Sequence, residues 1–332
     1  MTKGRQGIPL PPLQIFRLIS VRCGSPRPHT AVPRPSLATP GTSELIMEIV
    51  LPQSKTYLPG PGQCIYCHPD PLTDPTLRRE HIIPRKLGGQ LILHNASCTY
   101  CMATINSEIE TPTLTQFWID PRTHLGMPTS HPRESLRYGT YTGAADEFPP
   151  QIPDDFAWQD LPVADHPFVF VSPIFAMPTL LGGPDLGEQF SMAGIAAYGA
   201  ERAGSLPKID GKTSAIFQPF DPSVICRSIA KIAHGAAVAE LGFEAFTPFL
   251  PPVILGKEKA VSRFIGTEDR SRPLRTTSHE ITLLLRNGFL VARVHLFANL
   301  TRKAYLAVVG TPGLELAKWH SSATIVLSAP PQ

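Results

Sequence analysis

Four cysteines set the tightest limit on what this chain can fold into. They fall as Cys64-x-x-Cys67 and Cys98-x-x-Cys101, with 30 residues between the pairs. Two such knuckles in one short segment can supply four thiolates to a tetrahedral ion such as Zn²⁺, and a site filled by four protein ligands has no open position for chemistry. The expected role is structural: binding there contributes roughly 10 kcal/mol or more to folding a segment too small to bury a core of its own. The remaining cysteines, Cys23 and Cys226, are isolated, so the pattern reads as a metal site and not as a disulfide framework. That favours a reducing compartment, and a cytoplasmic location is expected.

Between the knuckles lie Glu80-His81-Ile82-Ile83-Pro84, then Leu87-Gly88-Gly89, then Leu91-Ile92-Leu93, and the second knuckle opens a helix expected to run to about Glu110. The order is strand, glycine turn, strand, helix. With these residues the segment resembles the HNH endonuclease family, in the subgroup that carries Cys-x-x-Cys pairs around an acidic-His-Ile-Ile-Pro signature and a Leu-Gly-Gly turn. The likeness extends through Leu125-Gly126-Met127-Pro128-Thr129, Ala230-Lys-Ile-Ala-His-Gly235, Ala239-Glu-Leu-Gly242 and Leu255-Gly256, and so spans residues 60 to 310. It implies a ββα-metal (His-Me finger) module and a metal-dependent endonuclease that hydrolyses phosphodiester bonds of nucleic acid, with DNA the expected partner.

The chemistry accounts for the residue types. Hydrolysis needs a water deprotonated beside the phosphate and positive charge on the developing oxyanions. A histidine serves the first need near neutral pH, and His81 is the candidate general base. The resemblance implies Glu80 as a ligand to a catalytic Mg²⁺ or another divalent ion. Consecutive strand residues point to opposite faces, so both serve one site only where the strand ends and bends, which Pro84 and the glycine turn allow. Asn95 matches the family's central asparagine and equally suits a turn; His94 stands beside it. The family commonly places a nitrogen or oxygen ligand just after the last cysteine, where this chain has Met102, a poor ligand for Mg²⁺. Asn106, one helical turn on, is the candidate substitute, and Glu108 and Glu110 are assigned to the solvated face. Arg78, Arg79, Arg85 and Lys86 flank the His81 strand and are candidates for contact with phosphates, with Arg122, Arg133 and Arg137 extending the patch. The resemblance includes Lys231 and His234, though a histidine on a helix packed against a sheet reads as a satisfied core or boundary residue.

The net charge of +3 hides an asymmetry, because residues 1–43 hold six basic and no acidic residues and leave −3 for the remainder. Nucleic acid would therefore be bound by a local patch and not by the field of the whole molecule. Residues 1–45 are proline- and arginine-rich without hydrophobic periodicity and are expected to be a disordered tail. Their one apolar cluster, Leu13 to Val21, is broken by Gln14 and Arg17 and is too short and charged for a secretory signal core. Translation from Met47 is an alternative start. No run approaches the roughly 20 apolar residues of a membrane span, so no membrane association is expected.

Residues 46–135 are read as the zinc module and a following arm, and residues 136–332 as a C-terminal α+β domain of unknown role. Within it, 136–215 is expected to be loops and short strands. Asp221 to Leu241 is expected to be one long helix, with Asp221 as cap, Pro222 in the first turn, Gly242 at the end and a buried stripe of Ile225, Ile229, Ile232, Ala236 and Ala239. Period-two runs at 280–286, 289–297 and 304–309 are expected to form an antiparallel sheet, with Asn287-Gly288 as a tight hairpin turn. The fold class is α+β throughout. Two other functions fit the residues: a catalytically inactive zinc-stabilised nucleic-acid-binding module, because of Met102, and a protein-interaction scaffold, because of the acidic balance outside the tail.

Overall fold

The computed structural model describes residues 46–49, 51–67, 76–129, 132–142, 156–168, 170–189, 192–198, 213–215 and 221–316. The proline- and arginine-rich segment 1–45 and Cys23 lie outside them. The strands are β1 (Ile46–Ile49), β2 (Thr56–Leu58), β3 (Leu77–His81), β4 (Leu91–Cys98), β5 (Ser135–Tyr141), β6 (Ala157–Pro162), β7 (Phe170–Phe175), β8 (Met192–Tyr198), β9 (Thr213–Ala215), β10 (Phe246–Pro248), β11 (Ile265–Thr267), β12 (His279–Arg286), β13 (Phe289–Leu296) and β14 (Tyr305–Pro312). The α-helices are α1 (Thr99–Ile105), α2 (Ile119–His124), α3 (Pro222–Leu241) and α4 (Leu250–Ile254), and wider π-type turns (Asn106–Glu110, Thr113–Phe117) continue the path of α1. The class is mixed α and β with mainly antiparallel sheets.

The largest sheet has the order β1-β12-β13-β14-β10, with β11 also on β14. Its centre follows from alternation: Ile281, Leu283 and Leu285, then Leu290, Ala292 and Val294, then Tyr305, Ala307 and Val309 point into the main core. Leu284, Val291, Leu306 and Val308 point to a smaller cluster on the other face. Asn287 and Gly288 take left-handed φ values of 51° and 78°, as a type I′ hairpin turn requires. The strand at 46–49 pairs with β12, not with the cysteine segment that follows it.

Helix α3 starts as its sequence dictates: the Asp221 carboxylate accepts the Ser223 N–H at 2.8 Å, Pro222 occupies the first turn, and Gly242 ends the helix at a φ of 83°. Its burial exceeds the single stripe expected, since nearly every residue from Ile225 to Val238 is buried. One side packs on β13 and β14 while the other meets the cysteine segment, where Gly235 faces the Ile82 side chain. A single core therefore runs from the cysteines through α3 to the large sheet.

The cysteine segment forms a three-stranded sheet of order β2-β4-β3, parallel between β2 and β4 and antiparallel between β3 and β4, and α1 follows β4 directly. Two glycines shape the β3–β4 connection. Gly88 has a φ of 81°, and a side chain on Gly89 would collide with the Ile83 carbonyl.

Candidate functional site

The four cysteines converge. Cys64 and Cys67 sit on the loop after β2, Cys98 ends β4, and Cys101 lies in the first turn of α1. The loop is tied to β4 by the Ile65 N–H donating to the Ala96 carbonyl at 2.8 Å. Cys98 caps α1, its sulfur accepting the Cys101 N–H at 3.4 Å. All four sulfurs lie within 4.8 Å of one another, and the Cys67–Cys98 separation is 3.7 Å. A tetrahedron with metal–sulfur bonds of about 2.3 Å has edges of about 3.8 Å, so the cluster fits one ion. Left to themselves, thiols this close compete for one negative charge. A hydrogen bond with Cys101 draws Cys64 down to about 4, burial pushes Cys67 up to about 12, and the hydrogen bond with Cys64 raises Cys101. A dication removes that conflict by stabilising all four thiolates. Among the described residues these cysteines are the one group of three or more His, Cys, Asp or Glu side chains that could hold a metal.

Register separates the two faces of the small sheet. His81 pairs with Ile92, which pairs with Tyr57, whereas Glu80 pairs with Leu93. Leu91 and Leu93 belong to the main core and Ile92 does not. His81, Ile92 and Tyr57 thus share the outer face, while Glu80 and Leu93 share the inner face against α3. His81 is half-buried, and its Nδ1 lies 3.3 Å from the Gly89 carbonyl. A carbonyl only accepts, so Nδ1 carries the proton and Nε2 keeps its lone pair. Burial moves His81 below its ordinary pKa, the bond to Gly89 opposing it.

Glu80, expected as a ligand to a catalytic ion, is buried on the inner face with Lys231 Nζ 2.6 Å from its carboxylate. The same ammonium lies 3.1 Å from Glu110 and donates to the His81 carbonyl and, at 3.5 Å, to the Ile82 carbonyl. Burial alone would lower Lys231; the two carboxylates outweigh it, and the lysine is held charged. Desolvation raises Glu80, opposed by Lys231. A divalent ion at Glu80 would have to displace this ammonium, so the residues present do not fit the second ion site implied by the resemblance. Lys231 thus bonds the backbone of the candidate base.

The other expected residues divide. Arg78, Arg79, Arg85 and Lys86 are all exposed around β3. Asn95 is exposed at a φ of 48°, where β4 bulges against β3; asparagine tolerates that conformation, which accounts for the residue type. Met102 and Asn106 are exposed on the helix. Glu108 and Glu110 do not simply face solvent, for Glu108 pairs with Arg227 of α3 at 2.8 Å and Glu110 with Lys231. Arg122 is no part of a phosphate patch: it is buried, and it donates to the carbonyls of Lys86, Leu114 and Pro128. Arg137 pairs with Asp160 and lies over Trp158, whereas Arg133 is exposed. His234 is fully buried, with Nε2 2.7 Å from the Ile65 carbonyl, and burial lowers it to about 4.

Sequence reasoning missed two groups. His279 of β12 donates from Nε2 to the Leu87 carbonyl at 2.8 Å and accepts the Phe297 N–H on Nδ1, fixing the glycine turn to the large sheet. Tyr57 lies on the outer face with the ring of His94 at 4.9 Å and the Arg79 guanidinium at 5.3 Å. A cleft of about 640 Å³ lies behind the glycine turn, between Leu87–Leu91, Leu125–Pro128 and the β1–β12 edge. His81 is not among its lining residues; on the outer face it neighbours Ile92, which is itself only 2% exposed.

Residues 64–118 match the family model described as HNH endonuclease. The matched segment begins at Cys64, the first of the four clustered cysteines, and stops at Trp118; the wider likeness to residue 310 lies beyond it. No curated protein and no solved structure matches the chain. Among the described residues no helix is long and apolar enough to cross a membrane.

Proposed function

We propose that the chain is an HNH-type endonuclease that hydrolyses phosphodiester bonds of DNA, with a structural Zn²⁺ held by Cys64, Cys67, Cys98 and Cys101 and with His81 as general base. The β3–β4–α1 unit is then the ββα-metal module. The observation that carries this reading is the state of His81: half-buried on the outer face of the sheet, with Nδ1 3.3 Å from the Gly89 carbonyl, the tautomer that leaves the Nε2 lone pair for a water.

In the proposed reaction Nε2 takes a proton from a water as its oxygen attacks phosphorus, and the bond from phosphorus to the leaving oxygen breaks. The imidazolium so formed is favoured by its hydrogen bond to Gly89. In this reading Arg78, Arg79, Arg85 and Lys86, all exposed around β3, neutralise phosphates on either side of the cut. Glu80 serves instead as counter-ion to Lys231, and Asn95 and Asn106 have no step assigned.

Nicking of supercoiled plasmid with Mg²⁺ or Mn²⁺ is the test. His81→Ala is expected to lose activity by about 100-fold or more while zinc content stays unchanged; full activity in this variant refutes the assignment. One observation favours an inactive nucleic-acid-binding module as a second reading, namely that Glu80 is taken by Lys231 and Met102 offers only a thioether. It requires salt-dependent binding without cleavage by the wild type under any divalent ion.

A further inference from the structure

We infer that the outer face of the β2-β4-β3 sheet is a binding site for single-stranded nucleic acid, with Tyr57 the platform on which an unpaired base stacks beside His81. The inference rests on the nuclease reading of His81 and adds the class of substrate. Tyr57 and His81 are both in register with Ile92 on the strand between them, whose own side chain is buried, so the two flanking side chains make the contact surface. Strands lie about 4.8 Å apart, which puts the two backbones about 10 Å from each other on one face. That spacing lets a base rest on the ring while the phosphate beside it reaches the imidazole.

The side chains suit such a ligand. Tyr57 is 43% exposed and has His94 against it and Arg79 over it. Aromatic rings interleaved with guanidinium groups bind unpaired bases irrespective of sequence, because every base has a π face. In a duplex those faces are already stacked on neighbouring bases, so the platform selects single strands. The charge is complementary to a polyanion. Among the described residues between 51 and 98 the sole carboxylate is Glu80, buried against Lys231, whereas Lys55, Arg78, Arg79, Arg85 and Lys86 are exposed. As a base settles on the ring, the Arg79 guanidinium is free to turn to the adjoining phosphate.

The test measures binding of a labelled oligodeoxynucleotide, single-stranded and annealed to its complement, at low salt without added divalent ion. The wild type is expected to bind the single strand more tightly than the duplex. Tyr57→Ala is expected to weaken single-strand binding roughly ten-fold, with Tyr57→Phe close to wild type and with melting temperature and zinc content unchanged. Equal binding by Tyr57→Ala, a preference for duplex, or no binding by the wild type overturns the inference. Cleavage by the wild type that stops in His81→Ala, with Tyr57→Ala binding normally, removes this inference and leaves the nuclease reading. Single-strand binding through Tyr57 with no His81-dependent cleavage does the reverse.

Discussion

At neutral pH an imidazole with an ordinary pKa of about 6.5 is already mostly neutral, and burial takes His81 lower still. The proposed base is the neutral form, so the depressed value keeps it competent near pH 7 and loses it only as pH falls through that value. The acid limb of kcat/KM is therefore expected to have its midpoint below 6.5, and the limb should vanish from the residual rate of His81→Ala. A rate that rises as pH drops below 6.5 would contradict the assignment. The four-cysteine cluster was legible in the sequence because its spacing is local and chemically specific. Glu80 was legible only in half. Alternation along β3 already places neighbouring residues on opposite faces, and the face Glu80 occupies is the one turned to Lys231, 151 residues away in the chain, which no local pattern reveals.

At the scale of elements, α3 shows how far pattern reading reaches. Its cap, its proline and its closing glycine act within one turn of chain, and the helix begins and ends where they direct. Its second buried side was not legible, since that side is covered by a segment whose own fold depends on the cysteines. Lys231 is the product of that packing: a cation buried against Glu80 and Glu110 that also bonds the His81 and Ile82 carbonyls. Replacing it with methionine leaves a buried carboxylate without its cation, a defect that costs about 3–5 kcal/mol. Lys231→Met is expected to lower stability by about that amount in urea unfolding, and Glu80→Gln in the same background to recover part of it, by removing the orphaned charge. No loss in the single variant, or no recovery in the double, would show that the triad does not join α3 to β3.

Over the whole molecule, the C-terminal body does not stand apart from the cysteine segment. Lys231, His234 and His279 each bond backbone carbonyls of that segment, at His81 and Ile82, at Ile65 and at Leu87. Mixed α and β composition, the antiparallel sheet and the hairpin at Asn287-Gly288 followed from period-two runs and turn chemistry. These long-range bonds did not, because a buried histidine or lysine looks the same in sequence whether it pads a core or holds a distant turn. They make α3 and β12 part of the floor on which the β2-β4-β3 sheet rests. The account depends on four sulfurs holding one ion and so fixing the sheet that presents His81. X-ray absorption at the zinc edge, with metal content measured on the same purified protein, tests this most directly. The account predicts one zinc per chain with four sulfur neighbours at about 2.3 Å; a protein that folds without bound metal, or whose zinc has nitrogen or oxygen among its four ligands, would contradict it.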